Sequence, residues 1–153
     1  MSVTVGVNQM SVVHKSSMGI TICFPDVCKT PTPGGPIPIP YPNIAMSSDT
    51  AKGTKKVKCD GNPACVHTSN FKMSTGDEAG SAGGGVVSSK IKGKAEFVTF
   101  SFNVKFEGKN ATKAFDIMLH NDKNTPPFPL LQMPIISIPS VTTLKCLICD
   151  KTL

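Results

Sequence analysis

The chain has 153 residues and a net charge of +6, with 13 Gly, 13 Pro, 6 Cys, 1 Tyr and no Trp. Glycine and proline at this density argue against a helical bundle and for a turn-rich β structure of single-domain size. All of the positive charge is lysine; without arginine for bidentate contacts, and with few rings to stack, sequence-specific nucleic-acid binding is not expected.

Residues 2–13 place Val3, Val5 and Val7 at alternate positions and predict an opening strand, and the apolar run Ile20–Phe24 predicts another. Then comes Pro36–Ala45, whose prolines alternate with Ile37, Ile39 and Tyr41. Each proline fixes φ and removes a backbone donor, so the run is extended and belongs on a sheet edge or across a surface. Its alternative is a mobile proline-motif ligand, with Pro33 to Pro36 as a P-x-x-P match.

Further along, Val57–Ala64 lines up with Val104–Ala111. Both predict hairpins, with Gly61 and Gly108 at the turn position that needs positive φ. Between them Gly80–Gly85 is a flexible connection without phosphate-loop spacing. The strongest single expectation is a strand over Val98–Phe106, with Val98, Phe100, Phe102, Val104 and Phe106 sharing a core face. Prolines 126, 127, 129, 134 and 139 then interrupt an apolar tail that ends in Cys146-x-x-Cys149. That tail is expected to lie extended on the domain.

The motifs Phe24–Pro31, Gly34–Pro36 and Ile39–Ala45 resemble the signature of the PAAR-like (Tox-PAAR-like) proteins. The resemblance continues through Ser74–Gly80 and His120–Asn121, covering about residues 12–125 of a single 1–153 domain and leaving 126–153 as the tail. It implies an all-β pyramid of short hairpins that caps and sharpens the spike of a type VI secretion system or a related contractile injection machine. It also implies one structural zinc near the apex, held by histidine and cysteine. The matching positions are His14, Cys28 and His120, on three separate segments, as a cross-linking ion requires. The fourth ligand is left open between His67 and another cysteine.

Cys146-x-x-Cys149 is a half-site for zinc or thiol exchange, with Cys59 and Cys65 as wider-spaced partners. Because Met1–Val3 begins no signal segment, the cysteines are expected as thiols or metal ligands before disulfides. Neither G-x-S-x-G nor H-E-x-x-H occurs, and the adjacent Asp77 and Glu78 would diverge in a strand.

The expectation is therefore a structural protein and not an enzyme. It would be a monomeric tip bound to a trimeric VgrG-like spike and to separate effector or adaptor chains, without nucleic acid or stable membrane insertion. It would be made in the bacterial cytoplasm and delivered outside the cell or into target cells. Roughly thirty residues follow His120, too few for a catalytic domain, so any toxin is expected on another chain. A small zinc-binding enzyme or toxin component is the alternative, and an open coordination position beside a cleft would mark it.

Overall fold

The computed structural model describes residues 3–133. The terminal Cys146-x-x-Cys149 and the later part of the tail lie outside them. The described chain is all β apart from one short 3-10 turn, Ser47–Asp49, as the sequence predicts.

Three two-residue-arm hairpins define the architecture: β1 (Gly6–Val7) with β2 (Met10–Ser11), β6 (Lys58–Cys59) with β7 (Asn62–Pro63), and β11 (Lys105–Phe106) with β12 (Lys109–Asn110). All three turn through two residues of positive φ: Asn8–Gln9 at 51° and 67°, Asp60–Gly61 at 50° and 77°, Glu107–Gly108 at 53° and 80°. That pair of angles matches the right-handed twist of the flanking strands. The single opening strand expected over residues 2–13 is thus corrected to a hairpin. Its turn lacks the glycine that marks the other two, and asparagine tolerates the left-handed conformation next best.

The residues that follow each hairpin lock the three together. Val13, Cys65 and Thr112 hold the same place after their hairpins, and their backbones form a closed ring. Val13 N–H donates to Thr112 O at 3.3 Å, Thr112 N–H to Cys65 O at 3.3 Å, and Cys65 N–H to Val13 O at 2.8 Å. Single bridges trace the same circle: His14 with Ala64, Val66 with Ala111, and Lys113 with Val12. Each repeat then turns through one more shared contact, in which the N–H groups of Ser17, Ser69 and Asp116 donate to the carbonyls of His14, Val66 and Lys113. The side chains of the same three residues accept the N–H groups of His14, Val66 and Lys113 in return, at 3.2, 2.9 and 2.7 Å.

Even the turns repeat a contact, each reaching the segment that leads into the preceding hairpin. Asp60 accepts Thr4 N–H at 3.1 Å, Glu107 accepts the N–H groups of Lys55, Lys56 and Val57 at 2.9–3.4 Å, and Asn8 donates to Asn103 at 2.8 Å. The chain is a threefold repeat folded into a ring. Inside it, Val7, Val12, Cys59, Ala64 and Ala111 belong to one buried cluster, with Phe106 packed against it.

Two larger sheets extend from this frame. One runs in the order β14 (Phe128–Pro129), β13 (Ile117–Leu119), β10 (Ala95–Phe97), β8 (Asn70–Phe71), β5 (Thr50–Ala51) and covers a core of Val13, Ala45, Cys65, Phe71, Ala95, Phe97, Met118 and Leu130. The other places β3 (Ile20–Thr30) between β4 (Ile37–Met46) and β9 (Gly84–Gly85). β4 contains the proline run, paired with β3 from Ile37 to Met46 and bridged on its other side at Ile44 to Thr75. Prolines 38, 40 and 42 must therefore turn their donor-less nitrogens away from β3, which makes this stretch the edge that its sequence predicts.

The expected strand over Val98–Phe106 is corrected. The chain leaves the sheet after Phe97 and re-forms a strand only at Lys105. Phe102 is 87% exposed, whereas Ser101, on the face predicted to be wet, is 2% exposed. The reason is polar: Ser101 Oγ accepts Val104 N–H at 3.1 Å, and its carbonyl accepts Asn110 Nδ2 at 2.7 Å, so the serine anchors the entry to the third hairpin.

Candidate functional site

The signature motifs converge on one buried polar cluster. Beyond an irregularity between Cys23 and Asp26, β3 points Asp26 and Cys28 to the same inward face, as residues two apart must. Asn43 enters from β4, Ser74 and Asp77 from the segment after β8, and Asn121 and Asn124 from the turn after β13. Asp26 is the hub: it accepts Asn43 Nδ2 at 2.7 Å and Asn121 Nδ2 at 3.3 Å, and it also accepts Asn124 Nδ2. Asn43 Nδ2 reaches Ser74 Oγ at 3.0 Å, and Asp77 accepts Lys92 N–H at 3.0 Å. Asn121 fastens the far side, donating to Lys90 O at 2.7 Å and accepting Gly93 N–H at 2.9 Å.

At the centre, the Cys28 thiol lies 3.6 Å from Asp26 Oδ1 and 3.8 Å from Asp77 Oδ2. Burial, then the charges of Asp26 and Asp77, push this thiol up to about 12. Burial, then the hydrogen bond with Asp26, push Asp77 up to about 6. Two carboxylates side by side out of water favour keeping a proton or gaining a cation. The ligand atoms of Asp26, Cys28 and Asp77 lie within 4.8 Å of one another, so the group could hold a metal ion. Two oxygens and a sulfur form a mixed donor set, and the engaged carboxylates keep spare lone pairs.

Of the three sequence-predicted ligands, only Cys28 belongs to this group. His14 sits at the seam between the first two hairpins with both ring nitrogens engaged. Its Nδ1 accepts Ser16 N–H at 3.0 Å, which places the ring proton on Nε2, donated to Asp60 at 3.1 Å. His120 is fully buried, with Nε2 3.1 Å from Thr21 Oγ1 and Nδ1 without a partner among the described residues. Its burial pulls its pKa down to about 4. His67, offered as a fourth ligand, packs on Phe100 instead. Asp26 and Asp77 were the members missed, although both stand inside motifs quoted from the sequence. A period-two reading of residues 26 and 28 places that pair on one face.

Residues 19–127 match the family described as "Toxin PAAR-like domain". The chain is also 41% identical over 140 residues to "DNase toxin Tse7" of Pseudomonas aeruginosa PAO1, an alignment covering 84% of this chain and 36% of that protein. The chain thus spans about a third of that relative's length. No solved structure matches. The relative's name corrects the expectation that the protein is not an enzyme, which rested on missing catalytic spacings in a chain that covers only part of that toxin. With more than half of its length matched and its signature residues gathered into one buried cluster, the chain belongs to the Toxin PAAR-like domain family.

Proposed function

We propose that the domain is the tip of an injection-machine spike and delivers into target cells a DNA-degrading toxin activity of the kind its relative is named for. The threefold ring carries this reading. One chain can meet the end of a trimer along its axis only if it offers three similar surfaces, and the three hairpins repeat their backbone contacts around a closed circle. Such a contact is heterologous, so one tip binds three chains of a VgrG-like spike and no closed oligomer of the tip itself is needed. Light scattering on a chromatographed mixture with the cognate spike is expected to give one tip per trimer. A tip that stays unbound at micromolar concentration overturns the reading. The toxin part is tested in recipient cells, where DNA breakage should follow delivery; breakage that persists when tip and spike no longer bind removes the delivery role.

The second reading is a zinc ion at Asp26, Cys28 and Asp77, with His14 and His120 tested beside them. Bound there, the ion would tie β3 to the segment after β8 and supply the charge that two buried carboxylates lack. Elemental analysis of protein purified without added metal should find about one zinc per chain, lost in Cys28→Ser. Retention in that variant with loss in the His14→Ala/His120→Ala double variant would return the site to the histidines. Zinc-free wild-type protein removes it.

A further inference from the structure

The lysines of this chain fall into two kinds. Among the described residues, Lys90, Lys94, Lys113 and Lys123 make ion pairs, with Asp122, Glu96 or Asp116. Lys15, Lys52, Lys55 and Lys109 make none, and all four are exposed. The fold brings these four to one place. Two clefts of about 270 and 210 Å³ adjoin beside the second hairpin, sharing residues 52–54 as a wall. Lys15 lines the first, Lys55 and Lys109 line the second, and Lys52 lines both.

The one acid in this lining is already spent. Glu107 Oε2 accepts the N–H groups of Lys55, Lys56 and Val57 at 2.9, 3.3 and 3.4 Å. Three successive N–H groups form a nest for an anion, and the chain fills it with its own carboxylate. In the adjoining turns Asp49 and Asp60 are matched by the exposed Lys56 and Lys58, so the groove stays net positive.

That arrangement selects among anions. Carboxylates of a polypeptide are held by oriented donors or a guanidinium fork, but the nest is full and the chain has no arginine. What remains is four point charges on long stems, which suit a ligand whose charge is dense and regular. A single nucleic-acid strand is gripped through its stacked bases, and the one ring in the lining, Phe106, is packed against the buried cluster instead. A duplex has its bases stacked already and presents only phosphates.

We propose that this groove binds the backbone of double-stranded DNA through Lys15, Lys52, Lys55 and Lys109, without reading its sequence. Reading guanine calls for arginine, whereas neutralising phosphate does not. The affinity belongs to the non-specific range, roughly 10⁻⁴–10⁻⁶ M at physiological salt. Nothing in the groove depends on the domain capping a spike.

Fluorescence anisotropy of a labelled DNA duplex titrated with the full chain, repeated between about 50 and 200 mM KCl, tests this. Four phosphate contacts should give log K against log salt a slope of about −3 to −4. The Lys55→Ala/Lys109→Ala double variant should weaken binding at least about tenfold at the lower salt and make the slope shallower by about 2. The loss should be the same for A·T-rich and G·C-rich duplexes. Lys29→Ala/Lys72→Ala removes the same charge from exposed lysines outside the groove and should weaken binding less than about threefold. Unchanged melting temperatures confirm that both double variants are folded. No binding at about 50 mM salt, or equal losses from the two double variants, overturns the proposal. Displacement by polyglutamate as readily as by unlabelled duplex also overturns it, by giving the groove to an acidic polypeptide. Tighter binding of a single strand than of the duplex overturns it as well.

Discussion

Gly76 shows how tightly the signature cluster is built. Its φ is +128°, and a Cβ there would lie 2.1 Å from Pro42 O, a backbone atom that cannot step aside. Gly61 also has positive φ, at +77°, but nothing lies within 4 Å of its missing Cβ. Gly61→Ala should therefore cost about 1–2 kcal/mol, the price of a left-handed side chain. Gly76→Ala should cost that strain plus a clash, upwards of about 3 kcal/mol. Urea denaturation of the two variants checks the order, and equal losses would mean that Pro42 does not press on Gly76. His120 gives a pH signature. Its folded pKa of about 4 is depressed by burial from the ordinary histidine value of 6.5, so its contribution is fully present above 6.5 and is lost as pH falls through 4. Between pH 7 and 4.5 the loss should be about 2–3 kcal/mol. Since carboxylates titrate in the same range, the measurement is the difference from His120→Gln, whose stability should fall less over the same interval.

At the level of elements, the two phenylalanines Phe71 and Phe102 separate what alternation can and cannot reveal. Phe71 sits in β8 at 0% exposure, edge-on to Phe97 at 5.7 Å. Phe71→Ala should lower stability by about 3–5 kcal/mol, and Phe102→Ala by less than about 0.5 kcal/mol, as thermal unfolding will show. Residues 98–106 carry a clean period of two and still form no continuous strand, because the Ser101 hydroxyl accepts Val104 N–H and its carbonyl accepts Asn110 Nδ2. Burial follows those contacts, and local pattern gives no sign of a partner nine residues away. The proline run behaved differently. Missing donors are a local property, so its place on an edge could be read directly. The second and third hairpins announced themselves through glycine, and the first escaped because Asn8–Gln9 does the same work without one. The candidate site was half visible: its motifs were plain, but which of their residues touch depends on four segments meeting.

For the whole molecule, the ring makes residues 3–14 indispensable although the family match begins at residue 19. Val13 supplies one hydrogen bond to each neighbour in the closed circle, and Gln132 reaches back to Ser11 Oγ and Val12 O at 2.8 and 2.9 Å. Deleting residues 1–12 removes a third of the frame and uncovers Ala64 and Ala111. The remaining chain should lose cooperative thermal unfolding and dispersed amide resonances. A shortened chain that keeps both would show that two repeats suffice and that the threefold closure is not what holds the domain.

The order in which the ring is assembled has a consequence for the protein's birth. Val13 leaves the ribosome almost a hundred residues before its acceptor Thr112. At about 5–20 residues per second, the first hairpin waits roughly 5–20 s for its partner. Throughout that interval Val7 and Val12, sealed in the finished ring, lack the third repeat that helps to cover them. A nascent chain of this kind should be a client of ribosome-associated chaperones until its third repeat emerges, and should release them as soon as the circle shuts.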